Sequence, residues 1–375
     1  MTGPNHSANK SAGRAGASGD IPGGDPIQGR SGAAQNILSL IHALPKAELH
    51  LHLEGSIAPR TAVELAGRHG VGITEQDVSA CYAPGDFTFF LNAFKWVTSF
   101  LRVPADYALI TERLAEDLLA QNVVYAEVTL SVGVMLIRKQ DALANFEAIR
   151  TAAAQFERSG LRLNWIFDAV RQFGVPAADE VARIAKQCVR EGVAAFGIGG
   201  DETALPAADF KKIYESVGAA GLGRVIHAGE IGPATAIREA IDLLGVTRVG
   251  HGIAAMHDPA LMDLLAARGV ALEICPASNL RTGALARQLR VPTARMSQHP
   301  LPLFVRRGVP VTLSTDDPAM FETSLEGEYA NATWLGLSAP ELLRIAEASF
   351  EHAFLPQGEK QHHLQALRVA ATGIE

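Results

Sequence analysis

From residue 47 onward the chain alternates short apolar runs with longer stretches of helical periodicity. The first run, Ala47-Glu48-Leu49-His50-Leu51-His52-Leu53, repeats with period two, as on a β-strand. Successive strand side chains point to opposite faces, so His50 and His52 share one face and Leu49, Leu51 and Leu53 the other. Gly55 predicts a turn, and Ser56 is placed to cap a helix running through Ala62, Leu65 and Ala66 to Gly70. Phe87, Phe90, Leu91, Phe94 and Leu101 predict a second helix over 86–101, and a third follows over 107–121. A short helix at 37–41 comes before the first strand. Seven more apolar runs follow, each leading into a helical pattern: 123–130, 161–167, 194–198, 224–226, 248–249, 270–274 and 309–313.

Eight strands alternating with helices predict an α/β fold, a parallel sheet closed into a (β/α)8 barrel of the TIM type, with extra helices after the first strand. Such a barrel carries its active site at the C-terminal strand ends, so polar residues are expected just after each run. They occur there: His50 and His52, Glu127, Asp168 and Arg171, Gly200-Asp201-Glu202, His227 and Glu230, His251, Ser278-Asn279, and Asp316-Asp317. Any one of these could be an ordinary polar loop residue; their repetition at strand after strand is what a bland loop does not explain. Glu127 and Asp168 are read as braces of the barrel rim.

Residues 1–34 are rich in Gly, Ser, Ala, Asn and Pro and nearly lack large apolar side chains, which predicts a disordered tail. Residues 35–375 are then a single domain. A hydrophobic content of 48% supplies its core, and a formal net charge of −7 with no basic stripe argues against nucleic-acid binding. The three cysteines, Cys81, Cys188 and Cys275, form neither a disulfide framework nor a zinc-knuckle spacing, which fits a reducing cytoplasm. No apolar run reaches membrane-span length, and the N-terminus lacks a signal-peptide core, so a cytoplasmic location is expected.

Two imidazoles on one strand face make half of a metal site, but a lone H-x-H stands level with a pair of partly buried structural histidines. Three further sites change the balance. Val225-Ile226-His227-Ala228-Gly229-Glu230 sets an imidazole against a strand end with a carboxylate one turn on. Gly250-His251-Gly252 places a histidine between glycines that permit close approach, and Ser314-Thr315-Asp316-Asp317 ends the last strand with adjacent carboxylates. Singly, each also fits a cap or a hydrogen-bonded core histidine; on one rim they form a His/His/His/Asp set with a spare Glu and Asp. His52-Leu53-Glu54 formally matches the H-x-E of cytidine-deaminase-type enzymes, yet the required P-C-x-x-C is absent. Cys275 reads as a small buried filler. His42, His69, His257, His299, His352, His362 and His363 read as surface or structural.

The stretches Pro45–Ser56, Gly199-Gly200-Asp201-Glu202, His227–Glu230, Gly250-His251-Gly252 and Ser314–Pro318 resemble, in order, the motifs of the adenosine deaminase family of the amidohydrolase superfamily. The resemblance implies that His50, His52, His227 and Asp316 hold one zinc ion. It further implies that Glu230 protonates the purine N1, and that His251 orients and deprotonates the attacking water. Asp317 would hold N7, the backbone N–H of Gly200 would meet N3, and Phe90, Leu91 and Phe94 would wall the base. The fourth strand carries no Lys of the kind that bridges two metals, which favours one.

The implied reaction is zinc-dependent hydrolytic deamination of an adenine nucleoside: adenosine, or 6-aminodeoxyfutalosine of menaquinone biosynthesis. Adenine deamination and another amidohydrolase reaction such as cyclic amide hydrolysis are the alternatives. A metal-bound, non-catalytic nucleoside-binding protein is a third, disfavoured by Glu230 and His251. The partner is a small aminopurine; neither nucleic acid nor membrane is expected. Glu54 stands where adenosine enzymes of the family usually carry Asp toward the ribose 5′-OH. Arg171 is open to two readings, pairing with a rim carboxylate or binding an acidic group of the substrate.

Overall fold

A computed structural model describes residues 32–372 of the chain. The tail expected over 1–34 lies outside them except at its very end, which begins helix α1 (Gly32–Ala43). The parallel strands are β1 (Lys46–His52), β2 (Val123–Leu130), β3 (Arg162–Val170), β4 (Val193–Gly199), a split β5 (Gly223–Arg224 and His227–Ala228), β6 (Arg248–His251), β7 (Ala271–Ile274) and β8 (Val311–Leu313). Their ladders run β1 to β4 and the first piece of β5 in one sheet, then the second piece of β5 to β8 in another. The two join on both sides. Val225 N–H donates to Phe196 O (3.2 Å) and Gly250 N–H to Ile226 O (2.9 Å), carrying the pairing through the split. At the other seam Leu51 bridges Asp316, with His52 N–H donating to Asp316 O (2.8 Å) and Asp316 N–H to His50 O (3.0 Å). The eight strands therefore form a (β/α)8 barrel.

The extra helices after β1 are α2 (Pro59–Arg68), α3 (Glu75–Cys81), α4 (Phe87–Val97) and α5 (Pro104–Ala120). Asp86 caps α4 by accepting from Phe89 N–H. Ser56 does not cap α2, a correction to the sequence reading. It sits in a 3-10 turn and its hydroxyl donates to Leu53 O, while Ala58 is the N-cap and Pro59 fixes the first helical φ.

Both faces of β1 are buried, as expected of a barrel strand covered by helices outside and filled within. Leu49, Leu51 and Leu53 have no exposure; truncating any of them to Ala should cost about 2–5 kcal/mol. The barrel interior also holds a charged stack. Arg248 contacts Glu127 and Glu273, each at 2.6 Å, and lies over the Phe354 ring at 4.1 Å. Tyr125 donates to Glu127 at 2.8 Å. Glu127 is thus an interior ion-pair partner rather than a rim brace, since Arg248 reaches it from across the barrel.

Candidate active site

The C-terminal strand ends bring the predicted residues together. His50 and His52 come from β1, His227 from β5, His251 from β6, and Asp316 from the turn after β8. Asp316 Oδ1 lies 3.4 Å from His50 Nε2 and 3.3 Å from His52 Nε2; Oδ2 lies 3.8 Å from His251 Nε2. The His50 ring is 4.6 Å from that of His227 and 4.9 Å from that of His251. Ligand atoms of His50, His227, His251 and Asp316 all lie within 4.8 Å of one another. That quartet has His251 where the resemblance has His52, so five candidate ligands surround one point.

The donor chemistry fits a divalent cation. His50 Nδ1 is 2.7 Å from Glu273 Oε2 and donates to it, which turns Nε2 toward the cluster. That Nε2 is buried and has no hydrogen-bond partner. A carboxylate behind a ligating imidazole is a usual way to fix ring and tautomer. Burial drives His52 down to about 4 and His227 well below its ordinary value, so both keep free lone pairs at neutral pH. Burial also opposes charge on His50, but Asp316 and Glu273 outweigh it and raise the ring to about 10. A cluster that charges its own histidine so strongly is one whose field favours a cation.

The two aspartates split in role. Burial opposes ionisation of Asp316, yet His50 beside it and the surrounding histidines hold it well below the usual range. Burial and then the Asp316 charge push Asp317 well above it, so Asp317 is the protonated partner. Glu230 is likewise pushed well above the carboxylate range, first by burial and then by Asp316 and Glu202. Glu202 shapes the Glu230 loop by accepting from the backbone N–H groups of Gly229 (2.6 Å), Ile231 and Gly232 (2.5 Å).

Local backbone supports the packing. A Cβ at Gly250 would stand 2.7 Å from His50 Cε1, so only glycine lets His50 lie there. His251 (φ 59°) and Asp316 (φ 65°) occupy the left-handed region that non-glycine residues avoid. Such conformations cost roughly 1–3 kcal/mol each and cluster at functional sites.

A cavity of about 370 Å³ opens onto this cluster, a size usual for small-molecule sites. His52, His227, Glu230, His251, Asp316, Asp317 and Gly200 line it, and Phe90, Leu91 and Phe94 form a wall with Phe87. His50 lies beneath. Glu54 and Arg171 do not line it. Glu54 is buried and accepts from the N–H of Ser131, itself a lining residue, at 3.0 Å. The Arg171 guanidinium is buried and donates to the carbonyls of Leu205 (3.1 Å) and His227 (2.9 Å). That corrects both readings of Arg171: it pairs with backbone oxygen, not with a rim carboxylate or the mouth. The cations on the cavity are Lys95 and Arg138 instead.

Other residues that the sequence reading named without a site role contribute here. Asp168 lines the cavity, accepts from Gly199 N–H at 3.2 Å, and is raised by burial to about 8, so it is more than a rim brace. Ser278 donates to Asp316 Oδ2 at 2.6 Å. Asn279 meets His251 at 3.1 Å and His299 at 3.2 Å, so of the two readings of His299, surface or structural, the structural one holds: it is a buried part of the site's support. Polar residues after β7 were visible as a cluster, but their partners are fixed only by the fold. Cys275 is fully buried, with its thiol pushed well up by burial.

A parallel barrel with four histidines, two dry acids and an aspartate converging on one rim cavity defines a hydrolase of the amidohydrolase type. Within that class the chain belongs to the adenosine deaminase family, whose model matches residues 45–369, and it is a hydrolase acting on C–N bonds. It is 38% identical over 329 residues to an aminodeoxyfutalosine deaminase of Streptomyces coelicolor, covering 86% of this chain and 83% of the relative. It is 36% identical over 321 residues to an adenine deaminase of Chelativorans sp., covering 84% and 95%. Among solved structures it is similar to an amidohydrolase from Burkhoderia ambifaria with bound Zn, with TM-score 0.81, 26% identity, and 92% and 96% coverage. No helix among the described residues is long and apolar enough to cross a membrane.

Proposed function

We propose that the chain is a mononuclear zinc enzyme that hydrolytically deaminates C6 of an N9-substituted adenine, with 6-aminodeoxyfutalosine preferred over adenosine. One water is consumed and ammonia leaves. The observation that carries this reading is Glu230: a buried carboxyl, its pKa pushed well above the carboxylate range by burial, on the wall of the same cavity as the His/Asp cluster. His50, His52, His227 and Asp316 would hold the zinc ion, which would supply Lewis acidity enough to lower the pKa of a water to about 7. The purine N1 accepts a hydrogen bond and cannot donate one, so it needs an acid, and Glu230 delivers the proton there as the ring loses aromaticity. N7 is also an acceptor, and Asp317 suits it: burial and Asp316 push its carboxyl toward the protonated form, and its Oδ1 is buried without a partner. Gly200 offers backbone at N3, and the wall of Phe90, Leu91 and Phe94 covers the base and keeps bulk water off Glu230.

The preference for an anionic substituent rests on Lys95, which lines the cavity and pairs with no carboxylate among the described residues, with the charge of Arg138 beside it, whose guanidinium donates to Thr98 and to the Lys95 carbonyl. The relative from Streptomyces coelicolor is named for 6-aminodeoxyfutalosine, whose benzoate such cations would attract. The test is kcat/KM for 6-aminodeoxyfutalosine, adenosine and free adenine, followed by the absorbance change of deamination. The expected order is as written. A larger value for adenine would transfer the chain to the adenine-deaminase reading, which the Chelativorans relative favours.

A further inference from the structure

We propose that His299 and Asn279 are positioning residues that fix His251 as its Nε2–H tautomer, so that His251 donates to the reacting oxygen and takes no part in metal ligation. The inference rests on the reading of His251 as the neighbour of the attacking water. It starts from a group of unambiguous polarity. The backbone N–H of Leu301, at the start of helix Leu301–Arg306, donates to His299 Nδ1 at 3.1 Å. A ring nitrogen that accepts carries no proton, so neutral His299 has its proton on Nε2. Burial keeps the ring neutral, lowering it to about 3.

His299 Nε2 lies 3.2 Å from Asn279 Oδ1 and must donate to it. The amide orientation follows: Asn279 Nδ2 faces His251 Nδ1 at 3.1 Å and donates. His251 Nδ1 is therefore an acceptor, and its proton sits on Nε2. That nitrogen faces the site, 3.8 Å from Glu230 Oε2 and 3.8 Å from Asp316 Oδ2. All three side chains of the relay are buried, so water does not compete for these bonds.

Two consequences follow. A protonated nitrogen has no lone pair to give, so the tautomer removes His251 from the five candidate ligands and leaves the fourth place to His52. It also replaces the expected base with a donor: the resting His251 steers the oxygen, and the oxygen's proton passes to the Glu230 carboxylate left once N1 is protonated, and from there to the leaving ammonia. Substituting Asn279→Asp puts carboxylate acceptors at both ends of this link. His251 would then carry its proton on Nδ1, and Nε2 would be freed.

The experiment is two-bond 1H–15N correlation on the full-length zinc-loaded protein with ring-labelled histidine, His251 being assigned by its absence in His251→Ala. The expected wild-type spectrum shows His251 with a bare Nδ1 and a protonated Nε2. Asn279→Asp should invert that pattern and lower kcat about 10- to 100-fold, the usual scale for supporting-residue changes. His299→Gln, whose amide N–H can still donate to Asn279 Oδ1, should retain the wild-type tautomer and most of kcat. Cobalt-substituted Asn279→Asp should show an altered d–d spectrum. A wild-type His251 with a protonated Nδ1 and bare Nε2 overturns the proposal, whether or not the variants fold. An Nε2–H signal in a protein that releases no ammonia supports this tautomer while counting against the proposed reaction.

Discussion

Replacing Glu230 by Gln separates proton donation from any structural role. Burial first, then Asp316 and Glu202, raise this carboxyl well above its ordinary 4.5. A group whose pKa is higher folded than unfolded contributes fully below the unfolded value and loses that contribution as pH rises through the folded one. Holding the proton as pH rises above 4.5 therefore costs stability progressively, by up to about 1.4 kcal/mol for each pH unit below the folded value. Glutamine keeps the shape and has no proton to hold. Chelator-treated Glu230→Gln should therefore match or exceed wild-type stability at pH 7–8, with the advantage vanishing below pH 4.5. Its kcat/KM should fall about 100- to 10,000-fold, the range for a lost general acid, or about 3–5 kcal/mol of barrier. The assays are urea midpoints across pH, zinc content and steady-state kinetics. Turnover within about threefold of wild type would refute the acid role, and a large loss of stability would refute the burial argument.

His50→Ala removes the nitrogen that lies bare beneath the cavity, and metal and activity should disappear together, as read by elemental analysis and ammonia release. Arg248→Met leaves Glu127 and Glu273 unpaired inside the barrel, which should cost about 3–5 kcal/mol in denaturant unfolding; a loss under about 1 kcal/mol would contradict the stack's importance. Lys95 is exposed at the cavity, so Lys95→Met should raise KM for 6-aminodeoxyfutalosine only about 2- to 5-fold, the scale of an exposed ion pair, and leave free adenine unaffected.

The barrel was legible because its signals are local. Each strand is a short apolar run, and each functional group of the rim follows its run directly, so His50, His52, His227, Glu230, His251 and Asp316 could be picked out along the chain. What the chain order hides is the layer behind them. Glu273 supports His50 from 223 positions away, and His299 reaches His251 only through Asn279. Arg171 misled because its position after β3 resembles that of a rim residue. The fold instead buries it against two carbonyls, a choice that no local pattern encodes. Glu54 follows His52 so closely that a cavity-facing place is natural, but the 3-10 turn Glu54–Ser56 directs its carboxylate to the Ser131 backbone. The Ser56 cap failed for a related reason: Pro59 offered α2 a better first residue than a serine three positions earlier.

The most direct test is ammonia release from 6-aminodeoxyfutalosine by purified protein as zinc is restored after chelation. The proposed function predicts no release from the stripped protein and a rise that saturates at one zinc per chain, with one ammonia for each substrate converted. No ammonia at any zinc loading, or saturation only at two, would contradict it.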